Sequence, residues 1–414
     1  MKQIKQPQNL RQERGLAIAK QYEIIKDSDK SWKVPSQTDT KTYYIVKSDG
    51  LGAKCNCPDY KKHQGKCKHI FAVEYIVTQK IYSDGTLKQE VTKKSYSQNW
   101  SAYNQAQKTE KDRFMRLLSD LVKNIQEEDY KFGRPKTPLQ DILYTMIFKV
   151  YSGVSGRRFT CDMQLSKELE FISKDVPFTT LKDYFNKTEV TEILHNLIKI
   201  SSQPLREVET HFSIDSSGFG TSIIQNWHKY KHSTQDRYKK WVKCHIVSGV
   251  HTNIIPAVKI TSEFEHDSPQ LKELLDKTNE VFTIEEFSGD KAYSSRDNLN
   301  AINSIGATPY IPFKKNVTGK TNKHGIVWKK ALHYFLYNQD EFMQHYHKRS
   351  NVETSFSMVK KKFGDNVKAK NWTSQANEVL CKIVCHNICV LIMEMENLGI
   401  TAELLEKNEN KLII

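Results

Sequence analysis

The spacing of hydrophobic residues changes near residue 211, and this change divides the chain into a helical part and an α/β part. Before that point, apolar residues recur at intervals of three and four over residues 114–125 and again over 139–151, which predicts helices. From His211 onward, short β-branched and aromatic runs alternate with helical segments. This pattern predicts a sheet that is covered by helices.

The α/β part predicts five strands in a specific order. Three consecutive strands come first, followed by a helix, a strand, a helix, a strand and further helices. The strands are predicted at residues 212–215, 241–250, 254–260, 287–289 and 307–313, and the helices at residues 269–275, at 298–305 and from about 340. This order favours a mixed five-stranded sheet.

The N-terminal part predicts a small, separate unit. Residues 43–46 read as a strand, residues 70–77 have helical spacing, and a hairpin-like stretch surrounds Asp84 and Gly85. The polar run that follows predicts a linker. We therefore expect the following divisions: an α+β module over 1–91, a linker over 92–109, a helical region over 110–206, an α/β domain over 207–396 and a tail over 397–414.

Charge and composition restrict the possible partners and compartment. The formal charge is +15 and the pI is near 9.2, which suggests a polyanionic partner such as nucleic acid. The polar first twenty residues do not resemble a secretory signal, and no uninterrupted apolar run reaches the roughly 18–20 residues that cross a bilayer. We expect a protein that stays where it is made, with its eight cysteines as thiols or metal ligands.

Four cysteine and histidine residues have metal-ligand spacing. Cys55-x-Cys57 is followed, after nine residues, by Cys67-x-His69. Zn²⁺ binds four such ligands tetrahedrally, and a closed set of four indicates a structural role. Reduced cysteines in a small core are the alternative, although paired spacing is then unexplained. With Pro58 and an apolar helix after the histidine, the pattern resembles the SWIM zinc finger, a family linked to DNA or protein binding.

Two aspartates lie at the ends of short predicted strands in the α/β part: Asp215 ends the strand at 212–215, and Asp290 follows the strand at 287–289. Polar groups at the ends of adjacent strands often form ligand sites. Together with a third carboxylate they could hold Mg²⁺ or Mn²⁺ ions that activate a water molecule or a 3′-hydroxyl group. From spacing alone, however, turn-capping aspartates are an equal alternative.

A third carboxylate, Glu353, belongs to a polar stripe on a predicted helix. Tyr346, Arg349, Glu353 and Lys360 fall within roughly 60° of arc at about 100° per residue. The stripe is too polar for a core seam. It is either a solvated ion-pair face or an active-site face on which Glu353 holds metal while its three neighbours bind phosphates.

The pattern Tyr-x2-Arg-x3-Glu-x6-Lys resembles the signature of bacterial and archaeal insertion-sequence transposases with an RNase H-like DDE core. The segments SIDSSGFG and FSGDKAYSSRDN also resemble that family's contexts for its first two aspartates. The resemblance covers about residues 130–395. It implies that Asp215, Asp290 and Glu353 bind Mg²⁺ or Mn²⁺ and catalyse hydrolysis at the element's ends and strand transfer to target DNA.

The same resemblance implies how the DNA is bound. Tyr346, Arg349 and Lys360 would contact the backbone at the terminal inverted repeats, in a complex that holds a homodimer. The expected location is the prokaryotic cytoplasm, in association with the nucleoid. Two other functions remain open: a catalytically inactive, transposase-derived DNA-binding protein, and an RNase H-fold nuclease without strand transfer.

A basic stretch separates the second aspartate from the glutamate. No acidic residue occurs between Asp297 and Asp340, and we expect the lysines there to line the same cleft: Lys314, Lys315, Lys320, Lys323, Lys329 and Lys330. Trp328 could stack on a base flipped out near the cleavage point. A packed loop aromatic is the better interpretation. Further upstream, Asp267 or Ser268 is predicted to cap a helix.

Overall fold

The computed structural model describes residues 10–22, 24–28, 31–37, 42–48, 53–63, 65–74, 99–123, 125, 132, 136–221, 241–314, 317, 325–402 and 404. The chain divides into two compact units, Met1–Ser97 and Gln98–Ile414. Their boundary lies within the predicted linker. The hairpin expected around Asp84 and three of the predicted DNA-contacting lysines, Lys315, Lys320 and Lys323, lie outside the described residues.

The first unit contains an antiparallel sheet in the order β1-β2-β3-β4. Its elements are α1 (Leu10–Gln21), β1 (Ile25–Ser28), β2 (Ser31–Pro35), β3 (Tyr43–Ser48), β4 (Ala53–Cys55), α2 (Pro58–His63) and α3 over residues 68–74. Ile18, Val34, Val46 and Ile70 form a small core with three cysteines. Such a small core favours additional stabilisation by a metal ion.

The second unit begins with helices: α4 (Trp100–Val122), α5 (Leu139–Ser152), α6 (Thr160–Glu168), α7 (Phe178–Phe185) and α8 (Thr188–Ser202). Asn99 caps α4 by accepting a hydrogen bond from the Ala102 backbone N–H at 3.2 Å. Residues 100–109 are therefore helical, and the prediction of a linker there was wrong. The small side chains of Ala102 and Ala106 are buried one turn apart, within an otherwise polar segment.

The predicted five-stranded sheet is present within the described residues, in the order β7-β6-β5-β8-β9. Its elements are β5 (His211–Gly220), β6 (Trp241–Gly249), β7 (Ala257–Ser262), α9 (Leu271–Asn279), β8 (Glu286–Gly289), α10 (Arg296–Ser304) and β9 (Thr308–Tyr310). β6 runs antiparallel to β5 and β7, whereas β8 and β9 run parallel to β5 and to each other. The sheet is therefore mixed.

Four helices complete the unit: α11 (Ile326–Tyr337), α12 (Gln339–Tyr346), α13 (Ser350–Phe363) and α14 (Trp372–Leu398). Helices thus start at Ile326 and not near residue 340, because the apolar residues Trp328, Leu332 and Phe335 recur at helical spacing within the basic stretch. None of the described helices is long and apolar enough to cross a membrane.

The predicted helical region and the α/β region share one hydrophobic core. α14 packs against α4, α5 and α8 from the first half of the unit and also contacts β6 and α13. Leu118 of α4, Leu194 of α8, Ile246 of β6 and Val384 of α14 all belong to this core. The boundary predicted at 206/207 therefore does not separate two independently packed domains.

Candidate active site and zinc cluster

The strand register places Asp215 and Asp290 next to each other. β5 and β8 are parallel, and their last paired positions are Ile214 and Gly289. Asp215 and Asp290 are the next residues on the two strands. β5 continues to Gly220. Asp215 therefore lies within a strand, whereas the sequence predicted it at the end of one. The end of the neighbouring strand β8 is what opens space beside it.

A single guanidinium joins Asp215 to Glu353. Arg349 donates from Nη1 to Oδ2 of Asp215 at 2.9 Å and from Nη2 to Oε1 of Glu353 at 2.7 Å. Arg349 lies in a short 3-10 turn, His347–Arg349, between α12 and α13. The polar stripe is thus not on one uninterrupted helix. Its central residues, Arg349 and Glu353, nevertheless lie beside Asp215 of β5.

The electrostatics of this site are those of crowded carboxylates. Burial raises the pKa of Asp215, and the nearby Asp290 and Glu353 raise it further, while the Ser216 N–H and Arg349 oppose the rise. The side chain of Asp215 is 24 % exposed and that of Glu353 is 61 % exposed. The site is therefore closed on the sheet side and open on the helix side.

The donor set fits a hard divalent cation. It consists of carboxylate oxygens, which Mg²⁺ and Mn²⁺ prefer. Burial, and after it repulsion from Asp290 and Glu353, makes ionisation of Asp215 unfavourable. A cation between the carboxylates would relieve this repulsion. The triad is not among the clusters of described residues whose ligand atoms all lie within 4.8 Å of one another. Arg349 stands between two of its members.

Two further stripe residues surround this centre. The Tyr346 ring centroid lies 5.9 Å from Cζ of Arg349. Lys360 donates from Nζ to Oγ of Ser217 at 2.7 Å and to the Gly218 carbonyl at 2.8 Å. Burial lowers the pKa of Lys360. Lys360 therefore holds β5 just beyond Asp215.

Two residues near the carboxylates, Tyr293 and His245, were missed as site residues. Tyr293 is buried, and burial followed by the charges of Asp267, Asp215 and Asp290 raises the pKa of its hydroxyl. His245 pairs across the sheet with Ser216, the residue after Asp215. The alternation of side chains between the two faces of β6 is a signal that could have identified His245.

Asp267 does not cap a helix through its side chain, so that prediction was wrong for this residue. Its Oδ1 lies 2.8 Å from Nζ of Lys243 and 3.3 Å from Nδ1 of His245. An ion pair to β6 thus takes the place of the predicted cap.

The basic stretch is only partly described. Lys314, Lys329 and Lys330 are exposed. Trp328 is 8 % exposed and packs edge-on against Phe313, with ring centroids 4.9 Å apart. Trp328 is therefore a packed aromatic residue, as the preferred interpretation of the sequence predicted, although it lies in helix α11 and not in a loop.

A cavity of about 800 Å³ lies among α5, α7, α14 and the end of α13, away from the three carboxylates. Its lining includes Phe178 and two acidic residues, Asp183 and Glu378. Five lysines also line it: Lys149, Lys182, Lys368, Lys370 and Lys382. Positive charge therefore predominates in the cavity.

The first unit brings together the four predicted zinc ligands. Cys55, Cys57, Cys67 and His69 are buried, and their ligand atoms all lie within 4.8 Å of one another. The Sγ atoms of Cys55 and Cys67 are each 3.9 Å from Nδ1 of His69. Hydrogen bonding from Cys55, and also from His69, lowers the pKa of the Cys67 thiol. Three thiols and one imidazole fit tetrahedral Zn²⁺.

Comparisons with known proteins find similarities in both compact units. Residues 206–388 match the family model of the transposase DDE domain, and residues 41–77 match that of the SWIM zinc finger. A probable transposase for insertion sequence element ISA1214, from Archaeoglobus fulgidus, is 24% identical over 266 residues, which cover 62% of this chain and 77% of that protein.

An uncharacterised protein of Aquifex aeolicus is 24% identical over 285 residues, which cover 66% of this chain and 84% of that protein. No solved structure gives a significant match to the chain.

Proposed function

We propose that this protein is a DNA transposase that cleaves the ends of a mobile element and joins their 3′-hydroxyl groups to target DNA. Its matches to the transposase DDE domain and to the SWIM zinc finger support this proposal. The observation that carries the proposal is the convergence of Asp215, Asp290 and Glu353. Two of them share Arg349, and the third is next to Asp215 in the strand register.

In this proposal Asp215, Asp290 and Glu353 hold Mg²⁺ or Mn²⁺ in an RNase H-like fold. The bound cations supply an activated oxygen nucleophile and stabilise the leaving oxygen. Both cleavage and joining are in-line displacements at phosphorus, so positioning contributes much of the rate. Arg349, once it is released from the carboxylates, is well placed to bind a phosphate oxygen.

Two stripe residues position this centre. Lys360 holds Ser217 and Gly218, which fixes the strand that carries Asp215. Tyr346 packs beside the Arg349 guanidinium and limits its movement. We therefore assign Tyr346 and Lys360 to positioning, and by the family resemblance also to contact with the DNA backbone.

Several cationic surfaces would bind the DNA backbone. They include the exposed Lys314, Lys329 and Lys330 and the lysine-lined cavity. Each lysine that neutralises a phosphate makes binding more salt-dependent. We propose that these surfaces bind element ends and target DNA at the prokaryotic nucleoid, and that the protein acts there as a homodimer. Zn²⁺ held by Cys55, Cys57, Cys67 and His69 would maintain the first unit for DNA or protein binding.

The test uses full-length protein and DNA that carries the inverted repeats flanking its gene, with Mn²⁺ or Mg²⁺. Wild type should nick the ends and join them to a target, and Asp290→Asn should bind the same DNA without nicking it. Tight binding without nicking by wild type would favour the inactive DNA-binding protein. Nicking without joining would favour a nuclease.

A further inference from the structure

A second cluster of ligand side chains lies at the start of β5, four residues before Asp215. Glu209, His211 and His251 place their ligand atoms within 4.8 Å of one another. Glu209 is fully buried, His211 is half-buried and His251 is exposed. The two imidazole rings are edge-on, at 89° with centroids 5.3 Å apart. Buried carboxylates require partners because isolated burial of a charge is costly.

The backbone is shaped around the Glu209 carboxylate. Its Oε2 accepts hydrogen bonds from the N–H groups of His251 at 2.8 Å and Thr252 at 2.9 Å, and from the Thr252 hydroxyl at 3.0 Å. A Cβ atom at Gly249 would lie 2.6 Å from the same oxygen. The other oxygen, Oε1, accepts one bond, from the His211 N–H at 3.2 Å. A carboxylate oxygen has two lone pairs, so Oε1 can also bind a cation.

The surroundings of His211 orient its ring for coordination. Nε2 lies 3.1 Å from Oε1 of Glu286, at the start of β8. Nδ1 lies 3.1 Å from Oγ1 of Thr210, whose hydroxyl can instead donate to Oε2 of Glu285 at 3.2 Å. Metal-binding histidines commonly donate their second ring N–H to a carboxylate, which fixes the tautomer. Donation from Nε2 to Glu286 leaves Nδ1 with a lone pair.

We propose that Glu209, His211 and His251 form a second zinc site, separate from the zinc finger and from the catalytic carboxylates. Two imidazoles and one carboxylate are a donor set that Zn²⁺ accepts with a solvent molecule as fourth ligand. His211 precedes Asp215 by four residues, about 13 Å along a strand. The zinc ion joins the start of β5 to the turn after β6. The proposal does not depend on the transposase function.

The experiment measures the zinc content of the full-length chain by mass spectrometry after dialysis against buffered Zn²⁺. All samples carry Asp215→Asn and Glu353→Gln, so that the catalytic carboxylates contribute little zinc. The expected content is two zinc ions per chain for this background. It falls to one after Cys67→Ser and to one after His251→Ala, whereas the matched control, His333→Ala on the exposed face of α11, retains two.

Co²⁺ provides an independent readout that distinguishes the two sites. In the Cys67→Ser protein, the remaining Co²⁺ should show visible d–d bands without the intense thiolate charge-transfer band, and His251→Ala should abolish those d–d bands. Because His251 is exposed, its replacement leaves folding intact even if His211→Ala does not fold. Zinc content that is unchanged by His251→Ala, or a Cys67→Ser protein without zinc, overturns the proposal.

Discussion

Arg349 and Asp215 are 134 residues apart in the chain, yet Nη1 of the arginine lies 2.9 Å from Oδ2 of the aspartate. The same guanidinium also reaches Glu353. A side-chain cation therefore lies between two proposed metal ligands. Arg349 contacts Oδ2 of Asp215 and Oε1 of Glu353, so a metal ion that binds these oxygens competes with the guanidinium.

The first prediction concerns pH. Asp215 has a raised pKa, and Arg349 lowers it relative to what burial alone would produce. Only the ionised carboxylate binds a cation well, so Mn²⁺-dependent nicking should fall as pH decreases through this pKa. Arg349→Ala should move that acid limb to higher pH, as measured by nicking rates in saturating Mn²⁺. The Lys361→Ala protein is the control, and an acid limb that stays in place for Arg349→Ala contradicts the assignment.

The second prediction concerns stability without metal. A carboxyl whose pKa is raised by folding contributes stability below its unfolded pKa, and this contribution is lost as pH rises through the folded pKa. Asp215→Asn removes that loss, so the metal-free variant should have a larger free energy of unfolding at neutral pH than wild type. Urea unfolding in EDTA measures the difference. Asp340→Asn, at an exposed position, should change little, and a less stable Asp215→Asn protein argues against the crowded-carboxylate description.

The third prediction separates Lys360 from an ordinary surface lysine. Lys360→Ala leaves the Gly218 carbonyl without its charged donor, which should lower the free energy of unfolding by about 1–3 kcal/mol. It should also lower the nicking rate, because β5 carries Asp215. Lys361→Ala, one residue further along α13 and exposed, should change neither quantity. Equal effects of the two substitutions would remove the positioning role.

The fourth prediction concerns Trp328. Its burial against Phe313 means that Trp328→Ala should destabilise the second unit by about 3–5 kcal/mol. End cleavage per folded molecule should remain close to wild type. Urea unfolding and single-turnover cleavage measure the two effects. A stable Trp328→Ala protein that binds ends but does not cleave them would instead support base stacking.

The fifth prediction concerns the zinc finger. Cys67→Ser, or strong chelation of zinc, should unfold the first unit, because its small core includes the ligands themselves. The second unit has its own core and should melt as before. Hydrogen exchange across the full chain distinguishes these outcomes. Cys161→Ser, at an exposed cysteine of the second unit, serves as the control, and protection of residues 53–74 in Cys67→Ser would contradict the metal dependence.

Sequence periodicity predicted the sheet well because its strands are short, apolar and separated by clear turns. The polar segment over residues 100–109 shows the limit of this method. Only Ala102 and Ala106 are buried in its first turns, and alanine contributes little to an apolar pattern. The prediction that Asp215 lies at a strand end was also wrong. Its strand continues to Gly220, beyond the predicted end at residue 215.

The candidate site was predictable in its ligand types but not in its contacts. Spacing alone left metal ligands and turn caps as equal alternatives for Asp215 and Asp290. The resemblance to the transposase signature selected these two residues together with Glu353. The contact of Arg349 with Asp215 depends on a 3-10 turn between two helices, which no sequence period reveals. The cluster of Glu209 with His211 and His251 was missed for a similar reason, since His251 joins it through a turn after β6.

The packing of α14 against α4, α5 and α8 also restricts how such a chain can be rearranged by recombination. A crossover between residues 123 and 371 would separate helices that share one hydrophobic core. The described residues before and after residue 97, at which the chain divides into its two compact units, belong to separate cores. Recombination near residue 97 is therefore expected to keep the core of the second unit intact.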